Sequence, residues 1–493
     1  MITKKSISPN NFASIKIKNK NTSRLIDIID NQDAIKGKEI GSNAYIKQSP
    51  RFFMRTQAIS DDYFILTFNE DSFVPIIPQE FDDAYANHKD KLVSKGSLFY
   101  VKGGNVGAIG IAEKDYDSIF SSHILKLNIE DEDLRYYIFA ILKNDFGKAQ
   151  ITNLPVGSIE GLDTFNMDYF NNIIVPFPNK DKKETMKYVG LLAKAIIRRE
   201  QEIQSKYGKI SELIDKELSE NTKNQKFTYG LPQYSDIKSE SRFDTGLYSE
   251  GYKHMIFSIR NYSKGFFTLD SLGYKIKRGQ NLQISNVGNS IYLETEADNF
   301  YKLILSKNIT EYMTVSKFVY LGNPNKLKKI NKGQILFTCR GDMGRCLIFC
   351  YDNVNTITNI DNVILTNSKT SLQENIFTGL FLNYLKKKGF IDEIAIGGSG
   401  ADSFTKYHFD KIIIPSFSKT KQEEISDYYY SEKDLDLSNL GFNTFEDKDK
   451  KTTKELGIAQ LDQQIKRIKE KLDEIVNKVV EDRKILVDFS FLS

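Results

Sequence analysis

The chain has 493 residues, 40% of them apolar and 27% charged, with a formal net charge of +4. That length suits two to four globular domains, and the charge is too small for a polycation, so any nucleic-acid role falls to local basic surface. No run approaches the ~18 apolar residues of a membrane-spanning helix, MITKKSISPNN lacks the apolar core of a secretory signal, and three cysteines suit a reducing cytoplasm.

Residues 1–178 read as one mixed domain. YFILTF (63–68), SLFYV (97–101) and HILKLNI (123–129) predict strands, with Gly, Asn and Asp between them. Leu134, Tyr137, Ile138, Ile141 and Leu142 predict a helix within 131–148. In GSNAYIKQSPRFFMRT (41–56), Lys47, Arg51 and Arg55 interleave with Tyr45, Phe52 and Phe53. Basic and aromatic residues so mixed suit a surface that meets phosphates and bases; a strand with one solvated face accounts for the same residues. Lys95-Gly96, SLFYVK and Gly103-Gly104-Asn105-Val106-Gly107 predict a strand running into a tight turn, where Gly supplies the positive φ. The glycine spacing is no dinucleotide fingerprint, and no Gly-Lys-Ser/Thr makes it a phosphate loop.

IIVPFP (173–178) closes this domain, and residues 179–222 read as a long helix and connector. Val189, Leu192, Ile196, Ile203, Tyr207, Ile210, Ile214 and Leu218 form one stripe with a polar gap at Arg199 and Glu200. About 30 residues give a helix of roughly 45 Å, and so narrow a stripe suits a two-helix seam.

Residues 223–417 repeat the first domain. Gly333 and Gly344 stand 237 residues after Gly96 and Gly107, and Pro415 stands 239 after Pro176 in a second apolar-proline segment, IIIPSF (412–417). Each copy also carries a glycine-bearing loop, LPVGSIEGL (154–162) and IAIGGSGAD (394–402). A constant offset near half the chain means tandem duplication. The remaining residues, 418–493, predict a distal helical region interrupted by a polar loop at about 431–453. Ile458, Leu461, Ile465, Ile468, Leu472, Ile475 and Val479 then step as an unbroken heptad seam, and the two long stripes are each other's natural partner.

No catalytic constellation is visible. His88, His123, His254 and His408 have no metal-ligand spacing, and Cys339, Cys346 and Cys350 are not spaced as a zinc site. No NPPY-like or DPPY-like tetrapeptide marks an amino-methyltransferase, and no FxGxG-type nucleotide pocket is present. Two similar domains on a rigid helix pair would make a bipartite reader, since modules on one face of a duplex sit about one turn, roughly 34–36 Å, apart.

The paired order resembles the DNA-specificity (S) subunit of type I restriction-modification systems along nearly the whole chain. It rests on the Lys-Gly strand and glycine turn at 95–107 and 332–345, and on the apolar-proline segments at 173–178 and 412–417, the second followed by Gln422 and Ile425. Arg242-Phe243-Asp244 resembles the opening of a target recognition domain; Lys183 and Met186 depart from the pattern set by Gln422 and Ile425. The resemblance implies an α+β fold: two tandem mixed α/β target recognition domains separated by a long antiparallel helix pair, a pseudo-twofold repeat. It implies no catalytic activity and no cofactor in this chain. S-adenosylmethionine, ATP and magnesium would belong to partner subunits in a bacterial cytoplasm. The partners would be double-stranded DNA, adenine methyltransferase subunits (two of them) and a motor-nuclease subunit. The specificity subunit of a related system that cuts both sides of its site shares this pattern, and a coiled-coil adaptor without direct DNA readout stays open.

Arg and Lys suit guanine edges, Asn and Gln adenine. The candidate DNA-binding residues are therefore Tyr45, Lys47, Arg51, Arg55, Lys102 and Asn105 in the first domain. In the second they are Arg278, Gln283, Asn286, Arg340, Asp342 and Arg345.

Overall fold

The computed structural model describes residues 17–152, 157–159, 162–164, 167–240, 245–352, 355–395, 404–432 and 440–492. Arg242, Phe243 and Asp244 lie outside the described residues, as does most of each glycine-bearing loop. The fold is mixed α+β, and the chain divides into two compact units. One comprises Met1–Gln201, Leu435–Lys454 and Gln463–Ser493; the other comprises Glu202–Asp434 and Glu455–Asp462.

The first unit is built on a four-stranded antiparallel sheet in the order Ile35–Lys36, Ile124–Leu127, Leu98–Val101, Ile109–Ile111. Its two middle strands are buried at every position. That explains the continuous apolar run Leu98–Val101, each large side chain contributing about 1.5–3 kcal/mol by leaving water, while in Ile124–Leu127 the buried Lys126 donates to Leu92 O at 2.9 Å and Ser94 Oγ at 2.7 Å. A smaller sheet pairs Phe52–Met54 antiparallel with Phe73–Pro75 and parallel with Ser118–Phe120. YFILTF forms no strand of its own: only Ile65 makes a bridge, to Ile111, while Phe64, Ile65 and Leu66 are buried. The helix expected at 131–148 is two, Glu132–Lys143 and Asp145–Thr152. The break is Asn144, whose Oδ1 accepts from the Phe146 N–H at 2.8 Å, as a capping side chain does.

The second unit repeats this plan. Lys275–Arg278, Asn362–Thr366, Ile335–Thr338 and Cys346–Ile348 form a sheet of the same order and sense. Tyr301–Ile304 again pairs antiparallel with one strand, Val319–Gly322, and parallel with another, Thr356–Thr358. Each apolar-proline segment pairs with an early strand, Ile174–Pro176 with Thr22–Arg24 and Ile413–Pro415 with Phe266–Thr268. The helix after the sheet, Leu372–Lys387, starts at a reciprocal Ser371/Glu374 cap.

The central helix runs from Lys182 to Glu220, 39 residues and about 58 Å. Its residues to Gln201 belong to the first unit and the rest to the second. The distal helix runs from Ile458 to Val480, with every heptad position buried. In the first unit the two are antiparallel: Arg199 bonds Gln464 at 2.9 Å, while Asn179, just before the central helix, bonds Asp482 at 2.7 Å.

Two expectations change here. Between Tyr188 and Glu200 the central helix is buried on nearly every side, not along a narrow stripe. The polar gap is a pair of buried anchors. Arg199 meets Asp449 at 2.6 Å, and the Glu200 carboxylate accepts from the Phe64 and Ile65 N–H groups at 2.8 and 3.0 Å. The segment read as a loop at 431–453 runs into a helix, Phe445–Glu455, whose buried face is Phe445, Asp449, Thr452 and Thr453. Three of those four are polar, so no apolar period marked it.

Candidate nucleic-acid interface

Each unit sets its glycine turn between two buried strands, and the turns share one backbone. Gly104 and Gly107 have φ of +91° and +89°, Gly341 and Gly344 of +74° and +90°. The last N–H closes the turn onto the preceding strand in both, Gly107 to Val101 O at 2.9 Å and Gly344 to Thr338 O at 3.0 Å.

The edge strand beside the turn delivers a cation at one register. Tyr100 lies opposite Leu125, which lies opposite Lys36; Phe337 lies opposite Val363, which lies opposite Arg278. A glycine follows each cation because the backbone of the next strand leaves no room. A Cβ on Gly37 would sit 2.2 Å from Ser121 O, and one on Gly279 2.2 Å from Asn359 O. In the first unit the exposed Lys36 faces Lys102. Burial pushes the Lys102 ammonium down and the neighbouring Lys36 charge pushes it further. In the second unit Arg278 and Arg340 both face Cys339. Burial pushes that thiol up to about 12, against the pull of the two guanidiniums. Each turn region thus gathers two cations, and in the second unit the Asp361 carboxylate lies 3.4 Å from one of them, Arg340.

The predicted residues do not all converge on the turns. Arg55 precedes Thr56, whose hydroxyl lies against Gly104, so Arg55, Lys102 and Asn105 share the turn region with Lys36. Lys47 is exposed and Tyr45 half-buried, its ring 6.2 Å from Phe53; both lie away from the turn, by the helix Pro78–Asn87. Arg51 is engaged: it pairs with Asp117 at 2.8 Å and lies over the Phe81 ring. Arg278 donates to Ile360 O and Phe404 O at 3.2 and 3.1 Å, and Arg340 reaches Asp361 at 3.4 Å. Asp342 and Arg345 pair with each other at 2.5 Å, Asp342 also with Lys386 at 2.8 Å, and Arg345 donates to Ile309 O. Burial raises the Asp342 carboxyl, but its Lys386 and Arg345 partners outweigh it and hold the group below the usual range. Gln283 and Asn286 are exposed on a separate excursion of the second unit. Lys36 was missed; the repeated cation-glycine dipeptide, Lys36-Gly37 and Arg278-Gly279, is the signal that finds it.

Among the described residues no group of three His, Cys, Asp or Glu side chains is placed to hold a metal ion. Nor is any described helix long and apolar enough to cross a membrane. The three cysteines are free and buried.

No protein-family model matches the sequence, and no curated protein does. Among solved structures, the type I restriction-modification system S subunit from M. genitalium aligns over 95% of this chain and 98% of its own, at 12% identity and a TM-score of 0.38. The HsdS subunit from Thermoanaerobacter tengcongensis aligns over 94% of this chain and 96% of its own, at 12% identity and a TM-score of 0.27. A structure concerned with complex assembly and conformational transition of the type I R-M system aligns over 95% and 99%, at 11% identity and a TM-score of 0.28.

Proposed function

We propose that this chain is the non-catalytic DNA-specificity subunit of a type I restriction-modification system. It reads a bipartite double-stranded target through two target recognition domains and recruits adenine methyltransferase subunits, together with a motor-nuclease subunit, in a bacterial cytoplasm. The observation that carries the reading is the duplicated site. Two units of one topology hold an edge-strand cation, Lys36 or Arg278, and a glycine turn at the same register, while the sequences around them differ. Equal scaffolds with unequal surfaces suit two half-sites of different sequence. Phosphate contacts from the paired cations would position each unit, and exposed side chains around them would read bases. The methyl donor and the metal would act in the partner subunits, on the exocyclic amine of adenine.

Methylated adenines mapped across the host genome, with and without the chain, test this. Loss of one two-part motif with a fixed gap on deletion is the expected result. An unchanged map in a host that expresses the whole system, with the purified chain failing to join its methyltransferase, would return the reading to a helical adaptor.

A further inference from the structure

In the second unit the chain between the strands Lys275–Arg278 and Tyr301–Ile304 makes an excursion built differently from the first unit. It carries a short helix, Ile284–Val287, and an edge strand, Ile291–Leu293, paired antiparallel with Val319–Gly322. The corresponding small sheet of the first unit has three strands and no such edge among the described residues. Val287 anchors the excursion in a core with Tyr301, Leu303, Leu321, Leu327 and Ile357. Outside that anchor, apolar side chains and amides together face water. Ile284 is 71% exposed, Ile291 63% and Tyr292 51%, beside the exposed amides of Gln283 and Asn286.

The presentation is braced. The Asn323 Nδ2 donates to Val287 O at 2.9 Å and to Ser290 Oγ at 2.8 Å, and the Asn325 Nδ2 donates to Val287 O at 2.9 Å. The same brace sets the following loop against the excursion, with Leu327 buried and Lys326, Lys328 and Lys329 exposed around it. None of these three lysines has a carboxylate partner among the described residues, and neither do Lys275 and Lys277 on the strand leading in. The surface ends where the chain turns acidic, at Glu294 and at Glu296, which pairs with Lys302 at 2.8 Å.

Lysines are depleted at protein–protein contacts, and a second copy of this patch would meet it with like charge. Unpaired lysines instead complement a polyanion. Apolar side chains beside Gln and Asn match a major-groove edge, where thymine offers a methyl group and adenine its N6 and N7.

We propose that residues 283–293 are the base-reading head of the second unit. Ile284 contacts a thymine methyl, Gln283 and Asn286 bond adenine edges, and Lys326, Lys328 and Lys329 hold the flanking phosphates. The half-site read by this unit therefore contains A·T pairs. The inference rests on the DNA-reading function proposed above and names the chemistry of one half-site.

The test uses the full chain assembled with its methyltransferase subunits, selecting bound duplexes from a random pool. Wild type is expected to select a two-part motif. Ile284→Ala, at a site too exposed to threaten folding, is expected to lose preference at one or two A·T positions of one half and keep the other half. Deoxyuridine in place of thymine at those positions should weaken wild-type binding on the order of tenfold and leave Ile284→Ala unaffected. Replacing the three loop lysines with Gln should weaken binding to every duplex and flatten its salt dependence without changing the motif. A two-part motif that Ile284→Ala and deoxyuridine both leave intact overturns the reading head while the specificity function stands. A wild-type complex that selects no motif overturns both.

Discussion

Asp449→Ala tests what holds the inserted helix Phe445–Glu455 to the first unit. The Asp449 side chain is 2% exposed and meets both Arg199, 1% exposed, and Arg198. Removing it leaves Arg199 with neutral partners only, Gln464 Oε1 at 2.9 Å and Ala195 O at 3.0 Å. The remaining carboxylate nearby, Glu446, is 3.9 Å from Arg198. A buried guanidinium stripped of its counter-charge costs about 3–5 kcal/mol. An isolated helix of 11 residues is itself marginal in water, so that loss is enough to release it. Hydrogen exchange read by mass spectrometry should then show the amides of this helix exchanging at least ~100-fold faster, at about 1.4 kcal/mol per decade. The double variant Arg199→Met, Asp449→Leu should restore most of the protection, because a buried ion pair replaced by apolar groups of similar volume is often neutral. Exchange in Asp449→Ala within about threefold of wild type would refute the reasoning and leave the helix held by Phe445 stacked on Phe489.

Other outcomes are expected on the same grounds. Lys143 is buried, its ammonium donating to the carbonyls of Ser60, Tyr63 and Ile109. Burial, then the Lys469 charge, pushes it down to about 7, against the pull of Glu200 and Asp61. The unfolded chain therefore binds the extra proton between about pH 7 and the ordinary lysine value. The first unit should gain stability as pH rises through that window, and Lys143→Met should abolish the gain, both read from urea midpoints at about pH 6.5 and 9.5. Gly344→Ala should destabilise the second unit by roughly 2–4 kcal/mol, since φ is +90° and the new Cβ would lie 2.6 Å from Ile391. Gly341→Ala, with no atom within 4 Å, should cost about 1 kcal/mol; equal melting temperatures for the two variants would contradict this. Arg340→Ala and Lys36→Ala should each weaken DNA binding by the assembled complex and lower the salt slope by about one. A slope unchanged in titrations across salt concentrations removes that residue from the interface.

The duplication was legible because its landmarks are backbone requirements: glycines at positive φ and apolar runs inside a sheet look the same in both copies. Lys36 was not, because the offset drifts from 237 residues between Gly107 and Gly344 to 242 between Gly37 and Gly279. The buried role of Arg199 and Glu200 was hidden because their partners lie far off, at Asp449 and at the Phe64 and Ile65 backbone. The helix at Phe445 was hidden because its inward face is an acid and two threonines, which read as solvated until the guanidiniums are in place. Among the candidate DNA contacts, residue type could not separate an Arg340 that stays 54% exposed beside Asp361 from an Arg51 or Arg345, each 30% exposed and more closely held by a carboxylate.

Asn19 donates through its Nδ2 to Phe177 O and to Val479 O, both at 2.8 Å, and the Lys18 N–H donates to Val480 O at 3.1 Å. The Lys18–Asn19 segment of the first unit is thus tied both to the end of its sheet domain and to the end of the distal helix. One amide therefore fastens together parts of that unit lying 158 and 460 residues from it in sequence.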